Sequence, residues 1–463
     1  MSSAKAINFP GGFGSCTMIK RTALTLVLLV VLLSLFQLSQ DPHEPRPWHP
    51  HSPRPEGSVT IQEKYDELAE KVELLSTQLS KSLQDPLISS SSSTIPTNLT
   101  DAEASTLCDA SAMRLFPARA TRKVYDLFLA GTELDMLEIR LNELDAVVDY
   151  FVIVESTSTF TNKPKPLYLR ENFSRFAKFA DKIIYRVIDF STLSADGVDT
   201  WTREHYQRNA LFTQVFPGLL GPLAPQFGDV LLVSDLDEIP KPSAVRTLRN
   251  CEFPARTTLW SNFYYYSFQW HHKGGDWPKP QATFFQGLEA TILPEDLRSG
   301  EMGLQMPNAS WHCSSCFSTV GEMVKKIESF SHTEYDNPDY KDPEKVVQRV
   351  RLGKDLFDRE GEGYERIERN YDLPAFLQEK LDVYPWLVDR DPLDANFVDF
   401  DAAGEHFAAT GGEEQEGAER GGDTEANDRW AGGYVHAGAS EEPDEEAEER
   451  LRANLEATEA AGV

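Results

Sequence analysis

The stretch Gly228-Asp229-Val230-Leu231-Leu232-Val233-Ser234-Asp235-Leu236-Asp237-Glu238-Ile239-Pro240 decides how this chain is read. Four apolar residues drive a strand into the core. Three carboxylates then appear within four positions, and Pro240 stops the strand. On an extended strand Asp235 and Asp237 project to one side. Two hard oxygen donors there suit Mg²⁺ or Mn²⁺, with phosphate oxygens and water completing the shell. A cation so placed would neutralise a departing diphosphate. On spacing alone, a solvated turn after a strand is the competing reading, because Asp-x-Asp is a common pattern.

Working outward, Val124–Leu129, Asp149–Glu155 and Ile183–Ile188 read as further strands. Leu134, Leu137, Leu141 and Leu144 have helical spacing, and Glu204–Phe216 reads as a second helix. Strands alternating with helices predict an α/β fold with a mostly parallel sheet. Ligands in such sheets bind beyond the carboxyl ends of the strands. That rule directs attention to Glu155 and to the residues after Val233.

The chain has 463 residues and a net charge of −29, from 45 Lys+Arg against 74 Asp+Glu. Such a balance argues against a nucleic-acid partner. Residues 401–463 carry 18 Asp or Glu against 4 Arg, with few large apolar side chains, and predict a disordered acidic tail. Residues 1–21 predict a cytosolic tail. Residues 22–38, uncharged and following Lys20 and Arg21, predict a transmembrane signal anchor rather than a cleaved signal. The positive-inside rule then gives a single-pass type II topology with a lumenal body. The sequons at Asn98, Asn172 and Asn308 agree with lumenal exposure. Residues 39–115 read as a stem. Within it, 61–83 carry Ile61, Tyr65, Leu68, Val72, Leu75 and Leu79 in steps of four and three. The seam fits either a short coiled coil, which would allow a homodimer through the stem, or a single amphipathic helix. Residues 116–400 read as the globular body.

Five blocks in this order and spacing resemble glycosyltransferase family 17, the family of β-1,4-mannosyl-glycoprotein 4-β-N-acetylglucosaminyltransferase. They are Glu133–Leu144 with Val148–Ser156, Trp201–Tyr206 with Arg208, Asp235–Pro240, Trp311–Phe317 with Lys326, and Tyr371–Leu387. The similarity spans roughly residues 122–391. Where vertebrate members tend to carry a further Asp, this chain has Ser234. The cysteine-rich stem segment of the animal enzymes is absent. The resemblance implies a GT-A-type nucleotide-sugar fold, UDP-N-acetylglucosamine as donor, Mn²⁺ or Mg²⁺ as cofactor, and inverting transfer to a mannose hydroxyl of an N-glycan. It also implies a Golgi membrane location.

With that implication, Asp235 and Asp237 are the metal and phosphate candidates. Inversion needs a carboxylate base for the acceptor proton, and Glu238 and Asp276 are the candidates; Glu238 alternatively caps the turn. Glu155 faces the nucleotide or holds a loop by a hydrogen bond. Arg208 neutralises a phosphate or pairs with Glu204. His312 and Trp311 line the sugar site or pack in the core, as do Tyr264, Tyr265, Tyr266, Phe268, Trp270 and Trp277. Cys313-x-x-Cys316 reads as a structural disulfide, within the pair or to Cys108 or Cys251, in preference to a redox pair or half a zinc site. The rival functions are a catalytically inactive lumenal glycan-binding protein, a transferase with another donor or acceptor, and a stem-mediated scaffold.

Overall fold

The computed structural model describes residues 99–193 and 198–401. The anchor expected at 22–38, the stem through residue 98 with its seam, and the tail after Asp401 lie outside the described residues. Among the described residues no helix is long and apolar enough to cross a membrane.

Among the described residues there are ten strands: β1 (Val124–Leu129), β2 (Tyr150–Ser156), β3 (Ile183–Ile188), β4 (Val230–Val233), β5 (Glu238–Pro240), β6 (Thr257–Tyr265), β7 (Ser267–His272), β8 (Gln281–Phe284), β9 (Leu304–Ser314) and β10 (Tyr364–Arg366). The main helices are α1 (Asp101–Ala110), α2 (Leu134–Leu144), α3 (Thr200–Thr213), α4 (Pro242–Asn250), α5 (Pro294–Ser299), α6 (Val320–Ser329) and α7 (Pro343–Leu352). Strand order is β10-β7-β6-β8-β4-β1-β2-β3, with β9 paired to β6 and β5. Strands β3, β2, β1 and β4 run parallel to one another, and β9 is parallel to β6. Short antiparallel ladders extend the sheet from β4 through β8 to β10. The α/β class with a mostly parallel sheet is thus as the alternation predicts.

The chain steps outward from β1 to β2 to β3, then returns to lay β4 on the far side of β1. The boundary between β1 and β4 is therefore a topological switch point, where the flanking connections diverge and leave a crevice. Period-two alternation along β1 separates two cores. Val124 and Phe128 pack on the side of α2 with Leu137 and Leu141, while Tyr125 and Leu127 pack on the side of α3 with Leu211 and Phe212. A third cluster joins Tyr266 and Trp270 to Met323 of α6 and Val346 of α7.

Two differences from the sequence reading matter. Helix α3 starts at Thr200, because the Asp199 carboxylate accepts from the Thr202 amide at 2.7 Å and caps it. More important, Ser234–Asp237 is a turn, closed by the Glu238 amide donating to the Asp235 carbonyl at 3.0 Å. The chain then resumes as β5, which pairs antiparallel with β9, Glu238 opposite His312. Pro240 closes β5, not β4. The same-side argument for Asp235 and Asp237 required an extended strand, so it does not hold.

The cysteines pair as Cys108–Cys251 and Cys313–Cys316. No thiolate remains among them for a zinc site. Helix α1 lies within the segment read as stem. It starts at a capping box in which Thr100 and Glu103 exchange hydrogen bonds, and Cys108 ties it to the end of α4.

Candidate active site

A cleft of about 880 Å³ opens at the carboxyl ends of β1, β2 and β4. Its floor is the Ser234–Glu238 turn, and one side chain organises that turn. Arg140, fully buried on α2, receives the Asp126 carboxylate of β1 on two nitrogens, at 2.8 and 2.7 Å. The same guanidinium donates to the carbonyls of Asp235 (2.7 Å), Leu236 (3.2 Å) and Glu238 (2.9 Å), and to Ser234 Oγ (2.6 Å). A turn with its carbonyls gathered on one cation is fixed in shape.

The floor's carboxylates diverge. Asp235 Oδ2 accepts from Arg298 at 2.7 Å, and Oδ1 lies 3.4 Å from Arg208. Burial alone would raise this carboxyl's pKa; Arg298, Arg208 and His312 outweigh it and hold it well below the usual carboxylate range. Arg208 also pairs with Glu204 and Glu295, each at 2.5 Å. Asp237 instead faces Lys326, whose Nζ lies 3.1 Å from Oδ2 and 3.2 Å from Glu133 Oε1. Burial would lower the Lys326 pKa, but Asp237 and Glu133 hold it raised and the ammonium charged.

Glu238 is 1% exposed. It accepts from Trp277 Nε1 (2.6 Å), the Asp235 amide (2.8 Å) and both terminal nitrogens of Arg298 (2.5 and 3.2 Å). A carboxylate so saturated braces the turn and is not placed to take a proton from a ligand. Asp276 is the opposite case. It sits exposed in the cleft wall on the Lys273–Trp277 loop between β7 and β8, and among the described residues it accepts no hydrogen bond and forms no ion pair, its charge acting at longer range on Lys241. The loop is tight: a Cβ on Gly274 would fall 2.4 Å from the His272 ring, and Gly275 has φ +104°.

His312 lines the cleft, stacked on Phe263 with ring centroids 4.6 Å apart. Burial lowers its pKa, leaving a neutral imidazole. Its Nε2 lies 3.8 Å from Asp237 Oδ1, and its buried Nδ1 has no hydrogen-bond partner. Trp311, the next residue on β9, points to the other face, where its indole donates to Asp372 at 3.0 Å. Of the aromatic stretch, Tyr265 and Trp277 reach the cleft, while Tyr264, Tyr266, Phe268 and Trp270 are core. Glu155 is fully buried beside the cleft. It accepts from Tyr185 Oη at 2.6 Å and from the Leu169 amide at 3.3 Å, so it holds a loop and does not face a ligand.

A divalent ion shared by Asp235 and Asp237 does not fit this arrangement, because both Asp235 oxygens face guanidinium groups. At Asp237 the chemistry does fit. The Lys326 ammonium already stands there as a cation between two carboxylates, with the neutral His312 nitrogen beside them. The cleft lining as a whole is close to balanced in charge, with Glu133, Glu204, Asp235, Asp237, Glu238, Asp276, Glu295 and Glu362 against Lys165, Arg208, Lys279, Arg298, Lys325, Lys326 and Arg359. Among the described residues, no three or more His, Cys, Asp or Glu side chains are gathered as a metal cage.

Sequence reasoning did not assign roles to Arg140, Glu133, Arg298 or Lys326, nor to the His272–Glu362 pair, 2.6 Å apart on the cleft wall. Arg140 and Lys326 lay inside the quoted blocks. Nothing in the local sequence marks Arg298.

An open α/β sheet with a polar cleft at its switch point, an acid-rich floor and a free carboxylate in the wall has the layout of an enzyme that handles a charged ligand. The chain belongs to glycosyltransferase family 17, whose sequence profile matches residues 85–388. It is similar to the human β-1,4-mannosyl-glycoprotein 4-β-N-acetylglucosaminyltransferase, at 26% identity over 315 residues, covering 60% of this chain and 57% of the relative. The enzymes of that name from Rattus norvegicus and Mus musculus match at the same identity, each covered over 56% of its length. The chain thus spans less than two thirds of the relatives it matches. No solved structure matches it.

Proposed function

We propose that this protein is an inverting glycosyltransferase that moves N-acetylglucosamine from UDP-N-acetylglucosamine to a mannose hydroxyl of an N-glycan, forming a β-1,4 linkage. In this reading the body is a GT-A-type nucleotide-sugar fold, held in the Golgi lumen by the anchor at 22–38. The observation that carries the reading is the unpaired Asp276 carboxylate, set in the wall of a cleft whose floor lies at the sheet's switch point. Family membership and the names of the relatives support the choice of sugar.

The acceptor hydroxyl lies against Asp276, which takes its proton as the oxygen attacks the anomeric carbon. The bond from that carbon to the diphosphate oxygen breaks as the glycosidic bond forms, and UDP departs with the electron pair. Asp237 and His312 are the residues that would hold Mn²⁺ or Mg²⁺, with Lys326 displaced. Such an ion, when bound, supplies charge neutralisation to the diphosphate. Arg140, Arg298 and Glu238 keep the floor rigid, so that little reorganisation is needed at the moment of reaction.

The test is to incubate the full-length protein in detergent with UDP-N-acetylglucosamine and a defined N-glycan, with Mn²⁺ or with chelator. The glycan should gain one N-acetylhexosamine by mass, in β-1,4 linkage by NMR. Absence of product from this donor, with product from another nucleotide sugar, would overturn the donor assignment.

A further inference from the structure

The outer rim of the cleft carries an aromatic surface that the chemistry above does not use. Trp201, in the first turn of α3, is 40% exposed. Its indole meets the His332 ring edge-on, with centroids 4.8 Å apart and planes at 89°. Behind His332 lies a stack: Tyr335 on Phe357 at 4.2 Å and Phe330 on Phe357 at 6.2 Å, each nearly parallel.

The surface is built in, not incidental. The Thr200 hydroxyl donates to the Ser331 carbonyl at 3.0 Å, and the Ser331 hydroxyl donates to Glu204. The start of α3 is thereby fastened to the loop that carries His332. Trp201, Glu204, His205 and Arg208 fall on one helical face, and all of them line the cleft. Arg208 meets the floor at Asp235, two turns along the helix from Trp201. By helix geometry that is roughly 10 Å of axial distance. One helix face thus joins floor to rim.

An exposed indole leaves a large apolar area in water unless something covers it. Here it is bordered by polar groups, including His205 and the Glu334-paired His332. A pyranose ring has matching chemistry: an apolar face of C–H groups and a rim of hydroxyls. The occupant that fits the rim is the one that must remain continuous with a larger body outside. A nucleotide can be enclosed; a glycan branch on a glycoprotein cannot.

We propose that Trp201 and His332 form a binding subsite for the acceptor saccharide, stacking on a neutral hexose ring of the N-glycan while the reacting hydroxyl reaches Asp276. This rests on the transferase reading above.

The experiment uses full-length protein and its Trp201→Ala, Trp201→Phe and His332→Ala variants. Acceptor KM, donor KM and direct binding of a soluble biantennary N-glycan by calorimetry are measured for each. Trp201→Ala should raise the acceptor KM tenfold or more and weaken glycan binding equally, with donor KM unmoved. Trp201→Phe should recover most of the loss, and His332→Ala should show a smaller one. An unchanged acceptor KM with unchanged glycan binding, or a rise in donor KM in its place, overturns the subsite. If wild-type protein transfers nothing yet binds the glycan through Trp201, the transferase reading fails and the subsite stands. If wild-type protein neither transfers nor binds, both fail.

Discussion

The cleft floor carries three carboxylates and the Lys273–Trp277 loop carries one, and the two regions treat them in opposite ways. On the floor, the oxygens of Asp235 and Glu238 face arginine, amide or indole donors, and Asp237 faces an ammonium. On the loop, Asp276 stands in the cleft wall without a hydrogen bond or ion pair among the described residues. Saturated carboxylates fix geometry; an unsatisfied one keeps its lone pairs for a ligand. The run of acids after β4 therefore serves mainly to fix the turn, and in the proposed reading the single acid between two glycines and a tryptophan is the one that takes the acceptor proton.

The largest effect should come from the loop. Asp276→Asn should lower turnover by roughly 10²- to 10⁴-fold with the melting temperature unchanged, since no contact of the fold is lost. A falling melting temperature together with intact turnover would reverse the comparison. The floor should respond in the other way. Arg140→Met strands the buried Asp126 carboxylate and releases three carbonyls, and should cost about 3–5 kcal/mol in urea unfolding. A loss below about 1 kcal/mol would show that the turn holds itself. Asp235→Asn and Asp237→Asn sharpen the contrast within the floor. The first should lower stability by about 1–3 kcal/mol, through uncompensated guanidinium groups, and leave Mn²⁺ affinity by electron paramagnetic resonance largely unchanged. The second should weaken Mn²⁺ binding.

The smallest effect concerns Glu322, near the start of α6 and hydrogen-bonded to Thr319 and Ser318. Burial, and then the charge of Asp135, raise its pKa from 4.5 to about 7. The folded protein therefore keeps this proton in a window where the unfolded chain has lost it. Stability should decline as pH rises from about 4.5 to about 7, then level off, by about 1 kcal/mol once partial solvent access is allowed for. Glu322→Gln should flatten that slope in thermal melts; an equal slope in the variant would assign it to other groups.

Much of this was legible from sequence for plain reasons. Strands β1 to β4 are short apolar runs with one face per helix, so periodicity located them to within a residue or two, as it did α2. The family blocks brought the cleft residues together. What failed was local backbone geometry. Two carboxylates two positions apart share a side only if the chain between them is extended, and a single amide-to-carbonyl bond at Glu238 turns it. Glu155 had two readings, and geometry alone separates them. The end of a parallel strand is the right place for a ligand, but this carboxylate is taken up by Tyr185, the Leu169 amide and the cleft-lining Lys165. Partners distant in sequence, such as Arg298 and Arg140, leave no periodic trace, because an arginine in a helix looks the same whether it meets water or a buried acid.

The bond between Cys108 and Cys251 spans 143 positions, including β1 to β4, α2 and α3. A protease that nicks the chain once anywhere between these two residues would leave both pieces covalently joined. Such a nicked molecule would migrate as one band without reductant and as two with it, its strands still held in place.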